Sequence, residues 1–412
     1  MKILPIEKQH KIKDEITKNR IDNIMPQVMK ETGIDMWLIL AAEYNEDPVF
    51  KTIVPGANAN AARLTCIVFS IDKSGNYEAV SINKPNASLA RFYKQLPYNT
   101  DTQWETIKAY ITKKNPSKIG VNISDVCSLG AGLSYSLYKE LKENIGGRFF
   151  KKVVSAEPLS VRWMEYRTEE ELAMYSHVYE VTTGIMARAF SKEVITPGVT
   201  TTQDVQFWAA DQFRALGLGV CFPPTVNLQR KGCTDNTMIT GTIRHGDLLH
   251  YDAGIEYLGL CTDLQRLAYV LHPHEDAVPK GILAGFNKGQ EFGRIASRHF
   301  ISHRTGNEVF KGALKDASDK KIEAMFYTHP IGFYCHGAGP TIGLYDKQED
   351  IPGRGDRKLN KNTCYALEYN VACPVEEWGG QKVYFYLEET VMFIEDGRLE
   401  FLDRDYGKVM II

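Results

Sequence analysis

HYDAGIEYLGLCTDLQR, residues 250–266, sets Asp252 and Asp263 eleven positions apart inside a run of strand-forming residues. Leu248, Leu249 and Tyr251 lead in, Gly254 and Gly259 mark a turn, and Leu267, Tyr269, Val270 and Leu271 lead out. This pattern predicts a β-hairpin. Residues facing each other across a hairpin lie about 5 Å apart, so one acid from each arm can share a site. Two carboxylates that close repel unless a proton or a cation lies between them. Two solvated acids beside a turn would give the same short pattern, so the pair needs partners elsewhere.

Those partners lie downstream. His329 opens HPIGFYCH, with Gly332 and His336 following, while Glu368 sits in CYALEYN and Glu388 in VYFYLEET. A charged side chain inside such an apolar run is costly to bury unless it is paired or bound to a metal. Two Asp, two Glu and one His make an oxygen-rich set with one imidazole. That set suits Mn, Zn, Co or Fe and differs from the thiolate-rich ligands of structural zinc. Four carboxylates exceed what one divalent ion needs, which points to a pair of ions.

The order Asp252, Asp263, His329, Glu368, Glu388, the H-x-I-G-x-x-x-H pattern at 329–336 and the ending LEETVMFIEDG at 387–397 resemble the pita-bread metallopeptidases. That family includes methionine aminopeptidase, aminopeptidase P and prolidase, with creatinase as a metal-free relative. The resemblance implies an α+β chain, with a C-terminal pita-bread catalytic domain at 161–412 and a smaller creatinase-like α/β domain at 1–160. It also implies two divalent ions, with Mn favoured and Zn, Co or Fe as alternatives. Asp252 would chelate one ion, Asp263 and Glu388 would bridge both, and His329 and Glu368 would complete the second. Glu368 would relay a proton as general base, and His336 would contact the substrate backbone.

The expected activity is removal of an N-terminal residue from a peptide, preferentially ahead of proline. A creatinase-like C–N hydrolase of a small non-peptide substrate and a non-catalytic binding module are the alternatives on the same fold. Three departures from the family bear on the substrate side. No His occurs in VNLQRKGCTDN, 226–236, upstream of Asp252, so Arg230 or Lys231 is the candidate substrate-binding group there. His245 and His250 stand too close to Asp252 to replace it. HGAGPTIG follows at 336–343, and Tyr386 stands where relatives carry Arg. HGAGPTIG lacks the G-K-[ST] ending of a phosphate loop.

Toward the N-terminus, residues 8–32 carry apolar positions at helical spacing, and MWLIL, 36–40, is a buried-strand run. Polar AEYNEDPVFKTIVPG, 42–56, predicts a loop. LTCIVFSI, YEAVSI and KIGVNI add strands, and TQWETIKAYITKK adds a helix, which together predict an α/β layer. Glu43 to Pro48 and Arg63 resemble a loop that reaches the partner's active site in the family's dimers, although a plain surface loop reads the same way. A homodimer is expected on that resemblance alone. Past the boundary at 156–165, Thr168 and Glu171 form a capping box for a long helix. A Thr/Asp cap after ITPG starts a second helix, and a third is expected over 281–300.

Composition bounds the rest. The 412 residues suffice for two domains, and 49 basic against 51 acidic side chains leave a net charge of −2. That balance calls for no nucleic acid and no anionic membrane. The eight cysteines form no CxxC pair, so free thiols are expected, with core packing the favoured role for Cys261 and Cys335. The polar N-terminus resembles neither a signal peptide nor a membrane span, and a cytoplasmic location is expected unless a processed signal preceded it.

Overall fold

The computed structural model describes residues 2–57, 60–234, 238–402 and 407–412. It separates into two compact units, Leu4–Tyr166 and Arg167–Ile412. The division falls after the helix Glu157–Glu165, which packs within the first unit against the helix Met25–Thr32. It therefore lies slightly beyond the 160/161 boundary expected from sequence.

The first unit is built on a six-stranded sheet in the order β4-β3-β2-β1-β5-β6. Its strands are β1 (Met36–Ala42), β2 (Leu64–Ile71), β3 (Tyr77–Ile82), β4 (Lys94–Gln95), β5 (Ile119–Val121) and β6 (Val153–Ser155). The helical pattern of 8–32 becomes two α-helices joined by a π-helical turn at Arg20–Ile24. In the expected loop at 42–56, Asp47 is buried. Its carboxylate accepts from Asn122 Nδ2 at 2.8 Å and from the Val49 amide at 2.8 Å, and burial pushes its pKa up to about 6. Phe50–Ile53 form one helical turn behind it.

In the second unit, strands β7 (Gly219–Val220), β8 (Thr225–Gln229), β9 (Leu248–Ala253), β10 (Ile255–Tyr257), β11 (Leu260–Cys261) and β12 (Leu264–Tyr269) come first. They are followed by β13 (Glu323–Phe326), β14 (His329–Ile331), β15 (Thr363–Val375) and β16 (Gln381–Glu395). The main sheet runs β13-β15-β16-β12-β9-β8, with β14 paired to β15. Helices Glu169–Ala189 and Thr202–Ala215 carry the expected caps, Thr168 with Glu171 and Thr201 with Asp204. Lys280–Ser297 is the expected third helix. A fourth, Gly306–Asp319, begins at a further capping box, Thr305 with Glu308.

Helix Lys280–Ser297 lies against β15 and β16. A Cβ placed on Gly285 would come within 2.1 Å of the Phe385 ring, so only glycine allows this approach. Side chains alternate along a strand. Phe385, Leu387 and Glu389 therefore face the helices, while Tyr384, Tyr386, Glu388 and Thr390 point to the opposite face. That opposite face carries the candidate site.

The connection between β9 and β12 is more than a simple turn. β10 and β11 form a small hairpin closed at Leu258 and Gly259, both at positive φ (57° and 79°), and this hairpin pairs with β7 in a separate three-stranded sheet. Gly254 starts it, because a Cβ there would meet Thr262 O at 2.5 Å.

Candidate metal centre

Strand register assembles the site. Across the main sheet, Thr225 pairs with Asp252, Asp252 with Gln265, Gln265 with Glu388, and Glu388 with Glu368. One lateral row, about 5 Å per step, thus holds three of the five predicted ligands. The next row on the same face holds the other two. Asp263 lies two residues before Gln265, and its backbone N–H and C=O both bond Thr390 Oγ1 at 3.1 Å. His329 pairs with Ala366, two residues before Glu368. Glu368 and Glu388 do face each other directly. Asp252 and Asp263 do not, because their hairpin is extended by β10 and β11; they meet on a diagonal.

Side-chain atoms converge accordingly. Asp252, Asp263 and Glu388 each present an oxygen within 4.8 Å of the others, and a ring nitrogen of His329 lies as close to oxygens of Glu368 and Glu388. His329 Nε2 lies 3.6 Å from Asp263 Oδ2 and 4.0 Å from Glu368 Oε2. His336, more exposed, completes a third such group with Asp263 and His329, its ring 4.5 Å from that of His329 and perpendicular to it.

The electrostatics are those of four carboxylates crowded into one buried cluster. Burial pushes the Asp252 pKa up to about 7, and burial with the Asp252 charge pushes Glu368 up to about 8. Asp263 and Glu388 are driven well above the carboxylate range, first by burial and then by their acidic neighbours. Burial pushes His329 down to about 4, which leaves a neutral ring able to ligate. Asp252 Oδ1, Asp263 Oδ1, both Glu388 oxygens and His329 Nε2 are buried without a hydrogen-bond partner. Buried polar groups are otherwise almost always satisfied. Five orphan donor atoms in one cluster fit divalent cations, and the oxygen-rich set with one imidazole fits Mn, Fe, Co or Zn.

The contacts that back the ligands escaped the sequence reading. Gln265 donates from Nε2 to Glu368 Oε1 at 2.8 Å, and its Oε1 lies 2.9 Å from His250 Nε2. His250 Nδ1 in turn lies 3.0 Å from the Asn227 side chain, and the Tyr386 ring packs over the imidazole at 5.1 Å. Cys335, expected to be packing, places Sγ 2.9 Å from Asp263 Oδ2 and donates to it. Polar residues two positions from a ligand on the same strand, Gln265 after Asp263 and His250 before Asp252, were the available signal.

Arg230 and Lys231, expected to bind substrate, are not brought to the ligands. Gln229 pairs with Leu248, four residues along β9 from Asp252, or about 13 Å at strand rise. Arg230 instead binds Asp247 through two contacts of 2.6 Å. Both residues line a separate cavity of about 520 Å³ with His245, His272 and Glu275. Within VNLQRKGCTDN, Asp235 and Asn236 lie outside the described residues.

Comparison with known proteins follows this geometry. The sequence pattern of metallopeptidase family M24 matches residues 173–397, more than half the chain. An X-Pro aminopeptidase from Thermotoga maritima MSB8 superposes with a TM-score of 0.68 at 16% identity, over 94% of this chain and 100% of that one. A Xaa-Pro dipeptidase from Bacillus anthracis gives 0.62 at 16% identity, over 98% and 100%. At such identities the likeness shows the fold, which is the pita-bread fold. YkvY of Bacillus subtilis (strain 168), which carries a provisional dipeptidase name, is 22% identical over 323 residues, 76% of this chain and 78% of that one.

Proposed function

Because the chain belongs to metallopeptidase family M24, we propose that it is a dinuclear exopeptidase that hydrolyses the N-terminal peptide bond of short peptides ahead of proline. The observation that carries this reading is the convergence of five buried, unpartnered donor atoms from Asp252, Asp263, His329 and Glu388, with Glu368 alongside. Asp252, Asp263 and Glu388 would hold one ion; His329, Glu368 and again Asp263 and Glu388 would hold the other. A bound pair of divalent ions, with manganese favoured, supplies Lewis acidity at the scissile carbonyl and lowers the pKa of water toward 7.

The chain's own groups do the rest. Glu368 has Oε1 engaged by Gln265 and Oε2 facing His329, so Oε2 is the atom that accepts the nucleophile's proton and passes it to the leaving nitrogen. His336 stands at the exposed rim and donates to the substrate carbonyl or the developing oxyanion. The neutral state of His329 keeps its lone pair available.

Support for proline-directed cleavage comes from the two superposed proteins, an X-Pro aminopeptidase and a Xaa-Pro dipeptidase. The deciding experiment is metal analysis of purified protein followed by a peptide-library assay with the metal found. Activity should vanish with chelator and return with Mn²⁺ or Co²⁺. Stoichiometric metal with no cleavage across a broad Xaa-Pro panel would overturn the assignment. The same panel extended to other dipeptides and to creatine-like C–N substrates separates the remaining readings.

A further inference from the structure

Behind Glu368 runs a chain of side chains, buried at Gln265 and His250 and half-buried at Asn227, that does not include the candidate substrate-facing His336. Glu368 Oε1 receives Gln265 Nε2 at 2.8 Å, Gln265 Oε1 meets His250 Nε2 at 2.9 Å, and His250 Nδ1 meets the Asn227 side chain at 3.0 Å. His250 and Gln265 are each 5% exposed. The residues come from adjacent strands in register, Asn227 opposite His250 and His250 opposite Leu267, with Gln265 opposite Asp252. Strand pairing therefore fixes the chain in place.

The direction of donation follows from its end. A carboxylate only accepts, so Gln265 must present its N–H₂ to Glu368 and its oxygen to His250. His250 Nε2 must then carry the hydrogen. A neutral ring has only that one donor; Asn227 presents Oδ1 to Nδ1 at 3.0 Å, so with a neutral ring this amide turns to point its N–H at Nδ1. Each link thus donates toward Glu368, and aligned links strengthen one another in a low-dielectric interior.

We propose that Gln265, set by His250 and Asn227, is a positioning residue that pins Oε1 of Glu368 so that Oε2 alone ligates and carries the proton. This inference rests on the assignment of Glu368 as the proton-handling ligand. It gives a function to two polar side chains buried in the sheet, Gln265 and His250, where apolar residues would pack at lower desolvation cost.

The test uses Gln265→Met, which keeps shape but removes the donor, and the pair His250→Phe and His250→Gln. The second of that pair retains an N–H for Gln265. Each variant is titrated with Mn²⁺ after metal removal, and kcat and KM are measured on an Xaa-Pro dipeptide with the Mn²⁺-loaded full chain. Outer-shell partners of metal ligands are worth roughly 10–100-fold in affinity or activity. Gln265→Met is expected to lose kcat by about that factor with KM changed less than about twofold, and to weaken Mn²⁺ binding. His250→Phe should follow it, and His250→Gln should recover most of the loss. Wild-type-like kcat and Mn²⁺ affinity in Gln265→Met, or equal losses in His250→Phe and His250→Gln, would overturn the proposal. A wild type that binds Mn²⁺ but cuts no Xaa-Pro peptide removes the substrate assignment instead, and the Mn²⁺ titrations then decide the positioning role.

Discussion

Glu388 and Glu389 are consecutive residues of β16, both buried, and the protein treats them in opposite ways. Glu389, on the helix-covered face, pairs with Arg266 Nη1 at 2.9 Å and accepts from Tyr179 Oη at 2.8 Å. Arg266 also donates to Tyr179 Oη at 2.6 Å and to the Glu388 carbonyl at 3.3 Å. Glu388, on the other face, has two buried oxygens without a hydrogen-bond partner and three further carboxylates, Asp252, Asp263 and Glu368, beside it. The fold can neutralise a buried acid permanently, since it does so one residue away. Where it withholds the arginine, it leaves room for a cation that can be exchanged and can do chemistry. The covered face is built for stability and the open face for function, and substitutions at the two glutamates should separate these properties.

The largest expected effect is on the open face. Asp263→Asn or Glu388→Gln removes a charge proposed to bridge the two ions, and metal-dependent peptidase activity should fall by roughly three orders of magnitude or more, because the ligands act as a unit. The metal-stripped form of either variant should melt no lower than stripped wild type, since burial and acidic neighbours already drive these two carboxyls toward their neutral form. Metal analysis and thermal unfolding check both halves. Glu389→Gln should behave in reverse. Breaking a buried ion pair costs about 3–5 kcal/mol, so the melting temperature should drop sharply while metal content per folded molecule is retained. A Glu389→Gln protein that is thermally normal yet metal-free would erase the distinction between the faces.

How much of this was readable beforehand follows the same physics. Asp252, Asp263, His329, Glu368 and Glu388 stood out because a charge in an apolar strand has no cheap structural explanation, and their order matched a family. The helices at Glu169–Ala189 and Thr202–Ala215 announced themselves by their caps. Gly306–Asp319 carries an equally good cap at Thr305, but its apolar face is narrow, with Val309, Phe310, Ala313 and Ala317 as the buried hydrophobic residues, and it went unread. Gln265, His250 and Asn227 are ordinary polar residues in sequence. Their partnership exists only through the register of β8, β9, β12 and β15, which no local pattern reveals. The diagonal placement of Asp252 and Asp263 depends likewise on the inserted β10–β11 hairpin. The place of Arg230 was not legible, because a basic residue upstream of the first aspartate gives no hint that buried Asp247 will pair with it.

A smaller effect concerns pH. In the metal-free protein, Asp252 and Glu368 hold protons up to about 7 and about 8, whereas in the unfolded chain they release them near the ordinary values of 3.8 and 4.5. Through the window from pH 6.5 to 8 the native state binds more protons than the unfolded one, so stability falls as pH rises. His250 and His329, held neutral to about 4 in the fold, contribute the opposite slope below about 6.5, where unfolded histidine protonates. The stripped protein should therefore lose several degrees of melting temperature between pH 6.5 and 8, and saturating Mn²⁺ should abolish that loss because the cation displaces the protons. A stripped protein whose melting temperature climbs across this window would mean that the open-face acids are already neutralised, and the contrast with Glu389 would lose its basis.

The smallest effect tests the far end of the same strands. Arg230 sits just beyond β8, its guanidinium held by Asp247 and by the Thr242 carbonyl at 2.9 Å. Asp247 also accepts from the Arg244 amide at 2.7 Å, so this corner is charge-balanced like the Glu389 face. Arg230→Met should leave kcat and KM for a dipeptide within about twofold, while the buried Asp247, deprived of its partner, costs about 1–3 kcal/mol of stability. Longer substrates sharpen the comparison, because the distance from Asp252 is about 13 Å, or roughly four extended residues. If Arg230→Met raised KM for a dipeptide as well, the cavity beside it would have to open onto the carboxylate cluster. The sheet would then have one functional face reaching from end to end instead of a site confined to two adjacent rows.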